Sequence, residues 1–253
     1  MTDAFEVSVI IPCWKDEAPL ERLLTALRQA ETDEDALLQI IVVDAAPSEH
    51  CQLLCQRFGA LWSPATPSRG EQLRQGASLA EHQVFWFLHA DAHIERHALA
   101  GIGSAIDANA AGGYFAFRFI DSHDWQGRLI ERLVGLRNRI GVPYGDQGIF
   151  ARRDAYFQAG QHAAWPLFEE VPLVKGLRRL GPFCRVDSGL GVSARRWKRD
   201  GWWRRSLRNR LLAVGYMLNV SPFMLAKLYS APPAARDTSK QAIPKKATSE
   251  KKQ

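Results

Sequence analysis

The chain has 253 residues, 46% hydrophobic and 24% charged, an ordinary composition for a soluble globular protein with room for one large α/β domain or two small ones. Its four cysteines, Cys13, Cys51, Cys55 and Cys184, have neither zinc-ribbon spacing nor disulfide-scaffold density, which excludes those classes and fits a reduced, cytoplasmic setting. The net charge of +6 hides an asymmetry: residues 195–253 hold 15 Lys/Arg against 3 Asp/Glu, and the remainder 18 against 24, so an anionic partner is expected for the end of the chain rather than for its body.

In chain order, the mostly polar Met1–Glu6 gives no secretory signal. Val7–Pro12 is a short apolar run closed by proline and reads as a strand. Lys15–Ala30 carries leucines at 20, 23, 24 and 27, a helical spacing, with acids early where the helix dipole favours them. Gln39–Asp44 is a second strand ending in a carboxylate, and Ser48–Phe58 a second helix stopped by Gly59. Cys51 and Cys55 share a face of that helix and read as buried thiols rather than a redox pair. Ala60–Ser63 is a short strand, Ser68–Ala80 a third helix and Val84–Leu88 a fourth strand. Helices are expected at Glu95–Ala108 and Asp124–Ile140, with a strand at Gly112–Phe119 between them. A turn-rich loop, Gly141–Gly148, precedes a short strand at Ile149–Arg153. Leu167–Glu170 opens a helix that runs to Leu180 despite Pro172, and Phe183–Val192 is irregular or extended. Ser193–Arg205 is dense in cations and indoles. One amphipathic helix to about Asn219 and a short one to Tyr229 follow. Leu211–Leu225 is the longest candidate membrane stretch, but it is too short and is interrupted by Asn219, Ser221 and Pro222. Ala231–Gln253 has almost nothing to bury and is expected to be disordered.

Strand and helix alternate at the spacing of βαβ units, which predicts an α/β fold with a mostly parallel central sheet. The stretch Phe85–His93 organises the rest. Its apolar run ends abruptly in His89-Ala90-Asp91, and ligands of open parallel sheets bind beyond the carboxyl ends of strands. Right-handed crossovers bring Asp44 and Asp91 to that same edge. A strand-end carboxylate there either helps carry a hard divalent cation with substrate phosphates or merely caps the next helix. No GxGxxG follows the first strand and no GxxxxGK[ST] occurs anywhere, which disfavours a dehydrogenase-type fold and excludes a P-loop.

The ordered set Val7-Ser8-Val9-Ile10-Ile11-Pro12, Ile40-Ile41-Val42-Val43-Asp44, Arg69-Gly70-Glu71-Gln72, Phe87-Leu88-His89-Ala90-Asp91, Tyr144-Gly145-Asp146-Gln147-Gly148, Glu169-Glu170-Val171 and Ala194-Arg195-Arg196-Trp197 resembles family-2 glycosyltransferases of GT-A fold over about residues 7–229. More narrowly, it is similar to a compact bacterial subgroup with a His-Ala-Asp metal motif, often labelled arsenosugar-biosynthesis glycosyltransferases. The resemblance implies inverting transfer of a sugar from a nucleoside-diphosphate sugar to an acceptor hydroxyl, small or lipid-linked, with Mn²⁺ or Mg²⁺. By the same resemblance Asp91 is the metal ligand and Glu170 the base, with Glu169 beside it. Donor contacts fall to Pro12, Asp44, Arg69, His89, Asp91, Arg195, Arg196 and Trp197, and acceptor contacts to Asp146 and Gln147. The sequence departs from the family pattern at His89, at Ala45 beside Asp44, at Gln75, and at Glu170, which is one methylene longer than the usual aspartate.

The implied organisation is a single domain over 1–229: a nucleotide half (7–110), an acceptor half (111–194) and a basic, aromatic helical extension (195–229), followed by a basic tail (230–253). Other readings stay open. His89, Asp91 and His93 could form a zinc site, though nothing is spaced to complete it. The cations of Arg195–Arg210 with Trp197, Trp202 and Trp203 could stack nucleic-acid bases, but the body is acidic and no recognition module is visible, so no nucleic acid is expected. The departures at Ala45, His89 and Glu170 would suit a catalytically dead binding module. Basic residues and indoles also suit contact with an anionic membrane, which would hold a cytoplasmic enzyme at the inner face.

Overall fold

Val7, Val9 and Ile11 leave one side of the first strand and Ile10 the other, and all four are fully buried. A strand with two apolar faces needs helices on both, and that requirement sets the layering. The computed structural model describes residues 5–230. Its first half alternates β1 (Phe5–Cys13), α1 (Glu17–Asp33), β2 (Ala36–Asp44), α2 (Glu49–Arg57), β3 (Leu61–Pro64), α3 (Arg69–Leu79) and β4 (Val84–Phe87). Next come β5 (His93–Ile94), α4 (Ala98–Asp107), β6 (Gly112–Phe115), α5 (Trp125–Ile140), β7 (Phe150–Arg152), α6 (Arg153–Gln158), α7 (Glu170–Leu180), β8 (Phe183–Val186) and β9 (Leu190–Gly191). The chain then enters α8 (Arg195–Asp200), α9 (Trp202–Met217) and α10 (Pro222–Ser230). The expected disorder of Ala231–Gln253 lies outside the described residues.

The main sheet has seven strands in the order β3-β2-β1-β4-β7-β6-β8. β1 runs parallel to β2 and β4, with Cys13 opposite Asp44 and Ile10 opposite Phe87. β7 is antiparallel to both its neighbours, β4 and β6. Leu20 and Leu24 of α1, Leu54 of α2 and Leu99 and Ile102 of α4 pack with Val7, Val9 and Ile11 on one face. Leu73 and Ala77 of α3 and Leu173 and Leu177 of α7 pack with Ile10 and Ile41 on the other. Each fully buried leucine of this kind contributes about 1.5–3 kcal/mol.

The structure differs from the sequence reading in several places. The strand expected to reach Phe119 stops at Phe115. Its pairing with β7 ends at Gly113 and with β8 at Phe115, and beyond them Phe119 forms an isolated bridge to Val192. The helix expected from Leu167 starts at Glu170, because Phe168 takes a left-handed backbone (φ 61°) to bury its ring. Two elements went unseen: the β5–β9 ribbon, too short for any periodicity, and α6, whose six residues continue directly from β7. Residues 183–186, read as irregular or extended, form β8 alongside β6.

Candidate active site

The carboxyl ends of β1 and β4 open into a cavity of about 850 Å³. Pro12 lies on its wall where β1 ends, and His89 and Asp91 where the chain leaves β4. Asp146 enters from the turn before β7, and Glu170 from the start of α7. Arg69, at the start of α3, completes the inner wall, while Arg195 and Trp197 of α8 close the outer one. Three predicted contacts lie elsewhere. Asp44, Glu169 and Gln147 do not line this cavity, and all are buried. Arg196 follows Arg195 in α8; its side chain lies outside the described set.

The α7 wall is the most unusual electrostatically. Arg69 donates through Nε to Glu169 Oε1 and through Nη2 to Glu169 Oε2 (3.2 Å). The arginine expected on the donor thus clamps a carboxylate. Burial raises the pKa of Glu169, but the charge and hydrogen bonds of Arg69 prevail and hold it below the usual range. Its neighbour goes the other way. Burial, then the negative charge of Glu169, push Glu170 up to about 8. A helix N-terminus favours an anion by about 0.3–1 kcal/mol. The rise from 4.5 to about 8 corresponds to several times that, so burial and the charged neighbour outweigh the dipole. Glu170 Oε2 is buried with no hydrogen-bond partner among the described residues. A buried acceptor without a partner is costly and needs a reason.

On the facing wall, burial raises the pKa of Asp146, opposed by the nearby charges of His89, Arg137 and Arg69 and reinforced by Asp91. Burial and the charge of Arg69 lower that of His89. Gly145 lets the turn approach the imidazole: a Cβ there would stand 2.9 Å from His89 Nε2. Gln147 holds the same turn from below. Its Oε1 accepts from Asn138 Nδ2 (3.0 Å) and from the Tyr144 backbone N–H (3.3 Å), while its Nε2 donates to the Phe115 carbonyl (3.0 Å). Asp44 has a comparable supporting position, accepting from the Ala46 backbone N–H (2.9 Å) and the Trp62 indole (3.4 Å). Gln75 donates to Ser63 Oγ (2.8 Å) and the Pro64 carbonyl (2.9 Å), tying α3 to β3.

A hard cation such as Mn²⁺ or Mg²⁺ takes oxygen donors, typically one or two carboxylates plus substrate phosphates. Asp91 on the cavity wall, with Asp146 close enough for their charges to interact, fits that chemistry. A second cluster does not. The ligand atoms of Cys13, Asp44 and Cys51 lie within 4.8 Å of one another, but hydrogen bonding to Cys51 and burial raise the Cys13 thiol well above its ordinary pKa. A protonated thiol is a poor ligand, and soft sulfur does not suit these ions. Among the described residues His89, Asp91 and His93 form no group of that closeness. His93 sits in β5 opposite Gly191.

Some site residues escaped the sequence reading. Asp121 accepts hydrogen bonds from Ser193 Oγ (2.7 Å) and the Ala194 backbone N–H (2.6 Å), fixing the approach to α8. These bonds outweigh its partial burial and lower its pKa. Trp14 is 56% exposed at the cavity wall. A large apolar side chain directly after the first strand was the available signal for it. Asp121 gave none, since its partners are 72 and 73 residues away. Of the three indoles that could stack bases, Trp197 and Trp202 pack edge-on against Phe119, at 5.6 and 5.4 Å.

The sequence profile of glycosyl transferase family 2 matches residues 8–164. This chain belongs to glycosyl transferase family 2. Solved structures agree on the fold. A mannosyltransferase from Pyrobaculum calidifontis, in complex with GDP-Man and Mn²⁺, superposes with a TM-score of 0.61 at 15% identity, covering 88% of this chain and 68% of that one. Mannosyl-3-phosphoglycerate synthase from Rubrobacter xylanophilus gives 0.55 at 16%, covering 83% and 75%. Glucosyl-3-phosphoglycerate synthase from Mycobacterium tuberculosis, in complex with Mn²⁺ and UDP-Glc, gives 0.55 at 18%, covering 74% and 70%. No curated protein matches in sequence. This family-2 glycosyltransferase therefore has the GT-A fold, with a mostly parallel sheet between helical layers and helices at its C-terminal end.

Proposed function

We propose that this family-2 enzyme carries out inverting, metal-dependent transfer of a sugar from a nucleoside-diphosphate sugar to an acceptor hydroxyl. One observation carries the reading: Asp91 and Glu170 line the same cavity, and Glu170 presents a buried oxygen with no partner among the described residues. A departing diphosphate gathers negative charge and needs positive charge waiting for it. Asp91, with Asp146 nearby, would hold Mn²⁺ or Mg²⁺, which supplies that charge when bound. Arg195, Arg196 and Trp197 would close over the diphosphate, since an arginine fork pairs bidentately with phosphate oxygens. Glu170 accepts the proton of the acceptor hydroxyl at Oε2 as that oxygen bonds to the anomeric carbon from the face opposite the diphosphate. The bond from that carbon to the diphosphate oxygen breaks, and its electron pair leaves with the diphosphate.

The other predicted residues take supporting places in this proposal. Pro12 and His89 border the donor. Asp44 and Gln147 hold their loops from beneath rather than meeting nucleotide or acceptor directly, and Glu169 with Arg69 sets the charge of Glu170. The half 7–110 binds donor and 111–194 receives acceptor. The ordered motif set supports arsenosugar-type biosynthesis as the route served. The enzyme is read as cytoplasmic, its basic C-terminal region against the inner face of the membrane. A panel of nucleotide sugars, tested with and without Mn²⁺ for thermal stabilisation and donor hydrolysis, checks the core of this reading. At least one donor should stabilise the protein, and more so with Mn²⁺. A panel in which none does would overturn it.

A further inference from the structure

The C-terminal helices hide little of their apolar surface. In α9 and at its C-cap, Trp203, Leu207, Leu211, Val214 and Leu218 follow one another at steps of three and four residues. At 100° per residue they fall, with Met217, on one arc of about 120°. Every one of these side chains is exposed, from 50% for Val214 to 78% for Met217. Leu212, half a turn away, is the buried one, packed with Phe168, Val171 and Leu225. In α10, Leu225 faces inward while Phe223, Met224 and Leu228 face out. A contiguous apolar face of this kind marks an interaction surface. At its edge Trp203 meets Trp125 of α5, with ring centroids 6.0 Å apart.

The charge pattern says what kind of partner fits. Residues 202–230 contain five Lys/Arg and no Asp/Glu, and residues 231–253 add six against two. Arg210 and Lys227 are exposed within the apolar faces of α9 and α10, and Arg204 flanks that of α9. A second copy docking through this face about a two-fold axis would set like charges against like, whereas an anionic surface would be complementary. A helix that presents apolar and indole side chains together with arginine or lysine on one exposed face suits lying in the plane of an anionic lipid interface. No helix among the described residues is long and apolar enough to cross a membrane, so the fit is to lying on one. The inward sides of the same helices supply Arg205, Asn209, Leu212 and Tyr229 to the cavity wall.

We propose that the outer face of α9 and α10 docks on an anionic lipid bilayer, and that the acceptor hydroxyl reaches Glu170 from an amphiphile held in that bilayer. The second half rests on the transfer reading given above; the first does not. Flotation of the full chain with phosphatidylcholine vesicles, with and without phosphatidylglycerol, tests the docking in the absence of any sugar donor. Binding should be about tenfold stronger with the anionic lipid and fall with salt. The combined variant Leu211→Ser, Met217→Ser, Leu218→Ser should lose about tenfold in vesicle binding while keeping its melting temperature and its stabilisation by donor with Mn²⁺. Equal flotation of variant and parent would overturn the docking face. So would a parent dimer in sedimentation that the variant abolishes while neither binds vesicles. For the acceptor, labelled donor is incubated with native membrane lipid extract, and label should appear in the organic-solvent phase. Donor hydrolysed to free sugar, with no label in lipid, would overturn the acceptor class alone. Failure of every donor to bind would strike the transfer reading and leave the docking result standing.

Discussion

The two walls of the cavity handle negative charge in opposite ways. At the β4 edge, Asp91 stands beyond a strand end, partly exposed, beside histidine and a second aspartate. At the α7 wall, Glu169 and Glu170 are adjacent and buried, and a single arginine clamps only the first of them. Asp91 lines the cavity wall and keeps part of its surface in solvent. A buried carboxylate beside a fixed like charge holds its proton until about pH 8. The difference comes from burial and neighbours, not from residue type, and it is the basis of the two roles proposed above for these carboxylates.

The sharpest way to break this contrast is to remove each acid. Glu170→Gln should lower the transfer rate by about 10²–10⁴-fold, the range of a lost general base, while donor still stabilises the protein. Asp91→Ala should lose transfer and the Mn²⁺-dependent part of donor stabilisation together. Full-rate transfer by both variants would remove the assignment. Next in size is the clamp. Arg69→Ala leaves Glu169 buried without its partner and should cost about 3 kcal/mol in denaturant unfolding. That is the low end for such pairs, because the arginine is 30% exposed. An unchanged unfolding midpoint would mean the pair carries no net weight.

A finer test reads the pH dependence. The rising limb of kcat/KM should lie near pH 8, where Glu170 gives up its proton. Glu169→Gln deletes the adjacent negative charge, so the limb should move to lower pH; a stationary limb would show that Glu169 does not tune its neighbour. The linked stability effect has a definite sign. Glu170 titrates higher folded than unfolded, so between 4.5 and about 8 the folded state binds more protons, and stability falls as pH rises. Glu170→Gln should therefore melt higher relative to the parent at pH 8.5 than at pH 4.5. The smallest expected effect is at Asp121. Asp121→Ala removes hydrogen bonds worth about 1 kcal/mol and should raise donor KM roughly fivefold with kcat unchanged.

Much of this molecule was legible in the chain because its first half is regular. Strands ending at Pro12, Asp44 and Leu88, with leucine-spaced helices between them, could only build a parallel sheet with its loops on one edge. Asp91 was placed at that edge for that reason, and Glu170 was set across the cavity from it only by the family resemblance. What could not be read were partnerships across long separations. Nothing local says that Arg69 pairs with a residue 100 positions later, and the family resemblance assigned it to the donor. Asp44 looked like a strand-end acid available to a ligand, until Trp62 of the neighbouring strand covered it. Gln147 sat in a turn where an acceptor contact and a structural role look alike in sequence. Four hydrogen bonds from and to its side-chain amide place it in the structural role.

The two-residue ribbon of β5 and β9 has a mechanical consequence. His93–Ile94, just past Asp91, is stitched to Leu190–Gly191, and only Val192, Ser193 and Ala194 separate that stitch from Arg195. The loop that carries Asp91 and the start of α8 are thus joined through one short ribbon. In the proposed reaction, the segment that would hold the cation and the helix that would cover the diphosphate therefore share one backbone tie.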